Sequence, residues 1–200
     1  MEPEVDVSSL LEALLPSSVL LLQLARRATE TTNMVTKMEK RVAHVGPGEG
    51  TSSLWMLGEL LTYKVPSQRT GGAYTLFEVE TLPGSGPPPH VQHREDECFY
   101  VLQGEFEFFN GAVTLRADAS SLLYIPKGTL HTHKNVGEGV GRLLVTQTPG
   151  GLYERFFKEV GKPVDGDGGP LVFEEQPDLG RIVAVAAEHG IEIPPHHTPG

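Results

Sequence analysis

Cysteine is almost absent from this chain: Cys98 is the single one in 200 residues. No intrachain disulfide can form, which points to a reducing, cytoplasmic setting. Basic residues are scarce too, with 16 Lys and Arg against 26 Asp and Glu and a net charge of −10. Phosphate backbones and anionic headgroups call for clustered Lys and Arg, so this balance excludes nucleic acid and a membrane surface as partners. The apolar cluster Val19-Leu20-Leu21-Leu22 falls far short of the ~20 apolar residues that span a bilayer. The acidic start, Glu2-Pro3-Glu4-Val5-Asp6, lacks the basic residues that open a secretory signal.

Glycine (23) and proline (16) are plentiful, while 38% hydrophobic and 21% charged residues are ordinary for a globular protein. Such a chain is rich in turns and favours an all-β reading. Three parts are expected. Residues 1–40 carry Leu10, Leu11, Leu14 and Leu15 at helical spacing and form a helical or flexible extension. That extension is a packed arm, a dimer contact, or a stretch upstream of a start at Met34. Residues 41–161 form the β domain. The stretch from Trp55 to Val65 and seven further β-rich runs (73–80, 98–102, 105–109, 113–115, 122–125, 131–134 and 142–147) are separated by turn signals. Asn110-Gly111 is the strongest hairpin signal among them. Leu152, Phe156, Phe157 and Val160 then make one helical stripe that ends at Gly161. Residues 162–200 hold a linker, a short helix capped by Asp178 and ending at Gly190, and a tail.

Four of the eight histidines fall in two short windows. The first runs Gly84-Ser85-Gly86-Pro87-Pro88-Pro89-His90-Val91-Gln92-His93-Arg94-Glu95-Asp96-Glu97 and closes at Gly104; the second runs Pro126-Lys127-Gly128-Thr129-Leu130-His131-Thr132-His133-Lys134-Asn135. Strand alternation puts residues 90 and 92 on one face, and likewise 131 and 133. Histidines and a carboxylate converging from separate strands suit Fe, Mn, Ni, Cu or Zn rather than Ca. Arg94-Glu95-Asp96 reads as a solvated loop and Asn135 as a turn-holding residue. His44 and His189 read as surface residues, His93 as a surface residue or a group behind the metal ligands, and His196 and His197 as part of a Pro-rich tail, with metal capture there the lesser reading. Phe77, Phe99, Tyr100, Phe106, Phe108, Tyr124 and Leu144 are the interior candidates; alternation lets only one of Phe99 and Tyr100 face inward. Cys98 reads as a small core residue.

The two windows resemble the cupin motifs, G-x5-H-x-H-x(3,4)-E-x6-G and G-x5-P-x-G-x2-H-x3-N. Gly84, His90, Glu97, Gly104, Pro126, Gly128, His131 and Asn135 stand at matching positions. The resemblance implies a cupin-type antiparallel β-barrel (a jelly roll) with an N-terminal helical arm and short C-terminal helices. It also implies one divalent transition metal held by His90, Glu97 and His131. This chain departs from the pattern twice. Gln92 stands where the family has a second metal-binding histidine, and Ser120 where it has a glycine. Three outcomes follow for the first departure. Gln92 ligates through its amide oxygen, His133 takes the vacant place, or the site binds metal weakly or not at all.

The stretch from Pro87 to Leu102 resembles the single-domain cupins grouped with quercetin 2,3-dioxygenase. That implies a metal-dependent dioxygenase acting on a small flavonol-like or other enolizable aromatic molecule, with Glu97 as ligand, base or both, and a homodimer. Two alternatives remain open: a non-redox metal-dependent cyclase or isomerase of a polyketide-type substrate, and a non-catalytic cupin that only binds a small ligand.

Overall fold

A computed structural model describes residues 19, 21–29, 42–164 and 178–195. Contacts divide the chain into two units, Met1–Ala43 and His44–Gly200. In the first, residues 21–29 are helical and Leu21, Leu22 and Leu24 are exposed. The leucines at 10–15, the linker from Asp165 to Gly169, and His196 and His197 lie outside the described residues.

The second unit is a jelly roll of two antiparallel sheets. Its strands are β1 (Ser53–Met56), β2 (Glu59–Val65), β3 (Thr75–Thr81), β4 (His90–Gln92), β5 (Asp96–Gln103), β6 (Glu105–Phe109), β7 (Thr114–Asp118), β8 (Leu122–Ile125), β9 (Leu130–Asn135), β10 (Gly141–Thr148), β11 (Lys162–Val164) and β12 (Ile191–Glu192). One sheet has the order β11-β1-β2-β3-β10-β5-β8, the other β12-β4-β9-β6-β7. The sheets face each other across a shared core: Phe99 of the first lies 5.3 Å, ring centre to ring centre, from Phe108 of the second. Two helices, α1 (Leu152–Val160) and α2 (Leu179–Glu188), pack on each other, and β12 pairs with β4. Asp178 caps α2 as expected, accepting from the Arg181 N–H at 3.0 Å.

Several local readings need correction. The stretch from Trp55 to Val65 is a hairpin, broken at Leu57 and Gly58, which both take positive φ (51° and 86°). No Asn or Asp marks that turn, so the pattern of apolar residues hid it. Tyr124 and Tyr100 face outward, 61% and 38% exposed, and Leu144 is half-buried, because the inward positions of their strands belong to Leu123 and Ile125, Phe99 and Val101, and Leu143 and Val145. Cys98 is half-buried on the outer face of β5 rather than in the core. Ser120 adopts φ 76°, the left-handed conformation that explains a glycine in the family pattern.

Candidate metal centre

His90 sits on β4 and His131 on β9, and the two are register partners. Alternation turns both inward together with Gln92 and His133. Each imidazole is oriented in the same way. Nδ1 of His90 donates to the Pro88 carbonyl at 2.9 Å, and Nδ1 of His131 donates to the Thr129 carbonyl at 3.0 Å. A carbonyl can only accept, so Nδ1 carries a proton in both rings and Nε2 is the nitrogen that faces the barrel interior; in His131 that Nε2 carries a proton too where it donates to Glu97, and would give it up to a bound ion. Glu97 enters from β5 of the other sheet, and its Oε1 accepts from the Gln147 amide at 2.9 Å. Gln147 is its register partner on β10. Oε2 of Glu97 lies 2.8 Å from Nε2 of His131.

The potential ligand atoms of His90, Glu97 and His131 all lie within 4.8 Å of one another, and all three residues are buried. These three are the sequence-expected residues that the structure brings together. His133 is not part of that group: its Nε2 lies 2.8 Å from Oε1 of Glu59, which also accepts from the Thr81 hydroxyl at 2.9 Å. Gln92 is 1% exposed, and neither its amide oxygen nor its amide nitrogen has a hydrogen-bond partner. A buried amide without partners costs free energy that a bound ion would offset. Two imidazoles, a carboxylate and a free amide oxygen are a donor set that fits a transition metal.

The electrostatics follow from burial. Burial penalises the charged form of Glu97, but the hydrogen bond and charge of His131, the charge of His90 and the Gln147 amide outweigh it and hold the carboxyl below its usual range. Burial likewise works against a charged His131; the Glu97 carboxylate reverses that and raises it. His90 is lowered to about 4, by burial first and then by the neighbouring His131. It therefore stays neutral with a lone pair available. Tyr153, on α1, is stacked on His90 with ring centres 6.5 Å apart and planes 12° apart. Burial, and after it Glu97, Glu59 and Glu95, keep its phenol protonated.

Four residues here escaped the sequence. Glu95 was read as part of a solvated loop, but it is 1% exposed. Burial and the nearby Glu97 push it up to about 7. Glu59 and Gln147 reach the site by long-range strand pairing and Tyr153 by the packing of α1 against the barrel, and neither leaves a trace in local spacing. The outer histidines behave as expected with one exception. His93 is exposed and pairs with Glu192 at 3.0 Å, and His44 is exposed. His189 is half-buried, bonded to Glu159 at 3.1 Å. Asn135 fastens its turn, donating to the Thr81 and Gly139 carbonyls at 2.8 Å each and accepting from Gly137 at 3.0 Å.

Residues 77–147 match the cupin domain family model. The chain is 26% identical over 120 residues to quercetin 2,3-dioxygenase of Bacillus subtilis (strain 168), covering 60% of this chain and 34% of that protein. A germin-like protein (subfamily 2 member 2) of Arabidopsis thaliana is 30% identical over 95 residues, covering 44% of this chain and 43% of that one. Among solved structures, the cupin domain of Cnp3 from Schizosaccharomyces pombe aligns with a TM-score of 0.47 at 20% identity, over 61% of this chain and 84% of that chain. The chain thus spans 34% and 43% of the lengths of these two curated relatives. No helix among the described residues is long and apolar enough to cross a membrane.

Proposed function

We propose that the cupin domain holds one divalent transition metal on His90, Glu97 and His131, with the amide oxygen of Gln92 as a further donor, and that it is a dioxygenase of a small enolizable molecule. The observation that carries the reading is the convergence of two imidazoles with inward Nε2 atoms and one carboxylate, all buried, with donor atoms within 4.8 Å. The ion, when bound, would supply Lewis acidity and redox chemistry. The chain's own residues do the rest. Pro88 and Thr129 fix the imidazole tautomers, and Gln147 aims Glu97. Glu97, whose carboxyl is held in its charged form, supplies the one carboxylate of the ligand set. Phe99, Phe77, Val145 and Phe157 exclude water from the cavity that His90 and Glu97 line. The likeness to a quercetin 2,3-dioxygenase supports the oxygenase class.

A second reading, a metal-dependent cyclase or isomerase without oxygen chemistry, draws support from the Glu59–His133 pair. That pair lines the same cavity and offers a proton-carrying group besides Glu97. The deciding experiment is O₂ consumption by metal-loaded protein supplied with acetylacetone, as a small enolizable substrate, and with quercetin. Uptake that stops in Glu97→Gln supports the oxygenase. Substrate turnover without uptake supports the second reading, and no turnover of either compound contradicts the oxygenase.

The single cysteine supports a cytoplasmic setting. We further propose a homodimer through β8, the edge of the larger sheet, where Leu122 and Tyr124 are 63% and 61% exposed beside Tyr100 and Leu102 of β5.

A further inference from the structure

The cavity that His90, Glu97, Glu59 and His133 line is small, about 30 Å³. Drug-sized ligands occupy pockets of ~300–1,000 Å³. A three-ring flavonol has no place in it as it stands. A second apolar cleft of about 20 Å³ lies directly behind, under Phe156, Ile182, Ile191 and Ile193. The two share four walls: Met56, Pro87, His90 and Tyr153. His90 is committed to its Pro88 bond, and Pro87 is fixed by its ring and by its carbonyl, which accepts from the Thr132 hydroxyl at 2.6 Å. Tyr153 is the large removable wall among them.

Its position is set from below. Glu154, the next residue, is 4% exposed and accepts from the Ser67 N–H and hydroxyl at 2.7 Å each and from the Thr75 hydroxyl at 3.1 Å. The first turn of α1 is thereby pinned to the barrel. The ring of Tyr153 is held on the other side by Phe157 and Phe156, with ring centres 4.3 Å and 5.4 Å away. A side chain fixed in this way is a partition rather than a swinging door.

We propose that Tyr153 is the specificity-determining residue of the site: its ring restricts the metal centre to small oxygen chelators of a few heavy atoms, such as an α-hydroxyketone or enediol, and separates its cavity from the cleft behind, so that only removal of the ring joins the two into space for a larger body. The inference rests on the metal-centre reading above. It places the flavonol-sized substrate of the distant relative outside the reach of this chain.

The test uses full-length protein loaded with Co(II), whose visible spectrum reports both metal binding and ligand exchange. The probes are acetohydroxamic acid and benzohydroxamic acid, which present the same pair of oxygens and differ by one aromatic ring. Wild type is expected to bind the smaller probe at least about tenfold more tightly. Tyr153→Ala is expected to gain about tenfold or more for the larger probe, with the smaller one changed by less than about threefold. Tyr153→Phe keeps the wild-type preference, which separates the ring from its hydroxyl. Should Tyr153→Ala fail to fold, Tyr153→Leu is expected to show the same reversal in reduced form. A Co(II) spectrum with no preference in wild type, or with none of these variants shifting it, overturns the proposal and leaves the metal centre standing. Absence of a Co(II) spectrum in wild type overturns both.

Discussion

His90 and His131 face each other as register partners with ring centres 4.4 Å apart, and each anchors its Nδ1 on the carbonyl two residues before it. The repetition has one cause. In both places the carbonyl two residues before the histidine lies against Nδ1 of the ring. Two separate stretches of backbone thus leave Nε2 as the nitrogen that faces the barrel interior, which is the condition for shared coordination.

Gln92 is the first residue to test. Its amide is buried with no partner. Restoring the family's histidine with Gln92→His should tighten metal binding by about tenfold or more, or ~1.4 kcal/mol. Gln92→Leu should weaken binding and leave the fold intact, since no hydrogen bond is lost. Metal titration into chelator-stripped protein measures both. Equal affinities in all three proteins would remove Gln92 from the coordination sphere.

Glu95 makes the stability of metal-free protein depend on pH. Its folded-state value of about 7 lies above the ordinary 4.5, through burial and then the charge of Glu97. Between those two values the unfolded chain has already released the proton while the folded one keeps it. Stability should therefore fall as pH rises through this window, by roughly 2–3 kcal/mol in total. Urea unfolding in chelator at pH 5 and pH 8 shows the slope, and Glu95→Gln should flatten it. A slope unchanged in that variant would assign the effect elsewhere.

Glu154 joins α1 to the barrel by three hydrogen bonds, from Ser67 and Thr75. Glu154→Ala leaves those donors buried and unpaired, and should cost ~3–5 kcal/mol. Denaturation midpoints would show it; a loss below ~1 kcal/mol would mean that water replaces the carboxylate.

Gly86 runs against β9 so closely that a Cβ there would lie 1.9 Å from the His133 carbonyl oxygen. Gly86→Ala must displace backbone, at a cost of ~1–3 kcal/mol or more. A thermal melt unaffected by the substitution would show that the Pro-rich segment has room to move.

The dimer proposal predicts that Tyr124→Glu together with Leu122→Glu yields a monomer by sedimentation velocity while wild type sediments as a dimer. A monomeric wild type would end it.

The legibility of this fold in the sequence was uneven for physical reasons. The jelly-roll strands carry period-two patterns and sit between glycine and proline turns, so most were readable. His90, Glu97 and His131 were readable because two short motifs place them locally. Glu95 was not, since its neighbours Arg94 and Asp96 give it the look of a solvated run; only tertiary packing makes it 1% exposed. Glu59 and Gln147 reach the site through the pairing of strands 20 or more residues apart in sequence, as in the Glu97–Gln147 register. No local spacing records that. Tyr124 misled because aromatic character alone says nothing about which face of a strand it occupies.

The most direct test is the metal content of protein purified without chelator. About one transition-metal ion per chain in wild type, and none in His131→Ala folded to the same extent, is the predicted result. Wild type free of metal that also fails to take up Co(II), Ni(II) or Fe(II), or His131→Ala that keeps a full complement, would contradict the account.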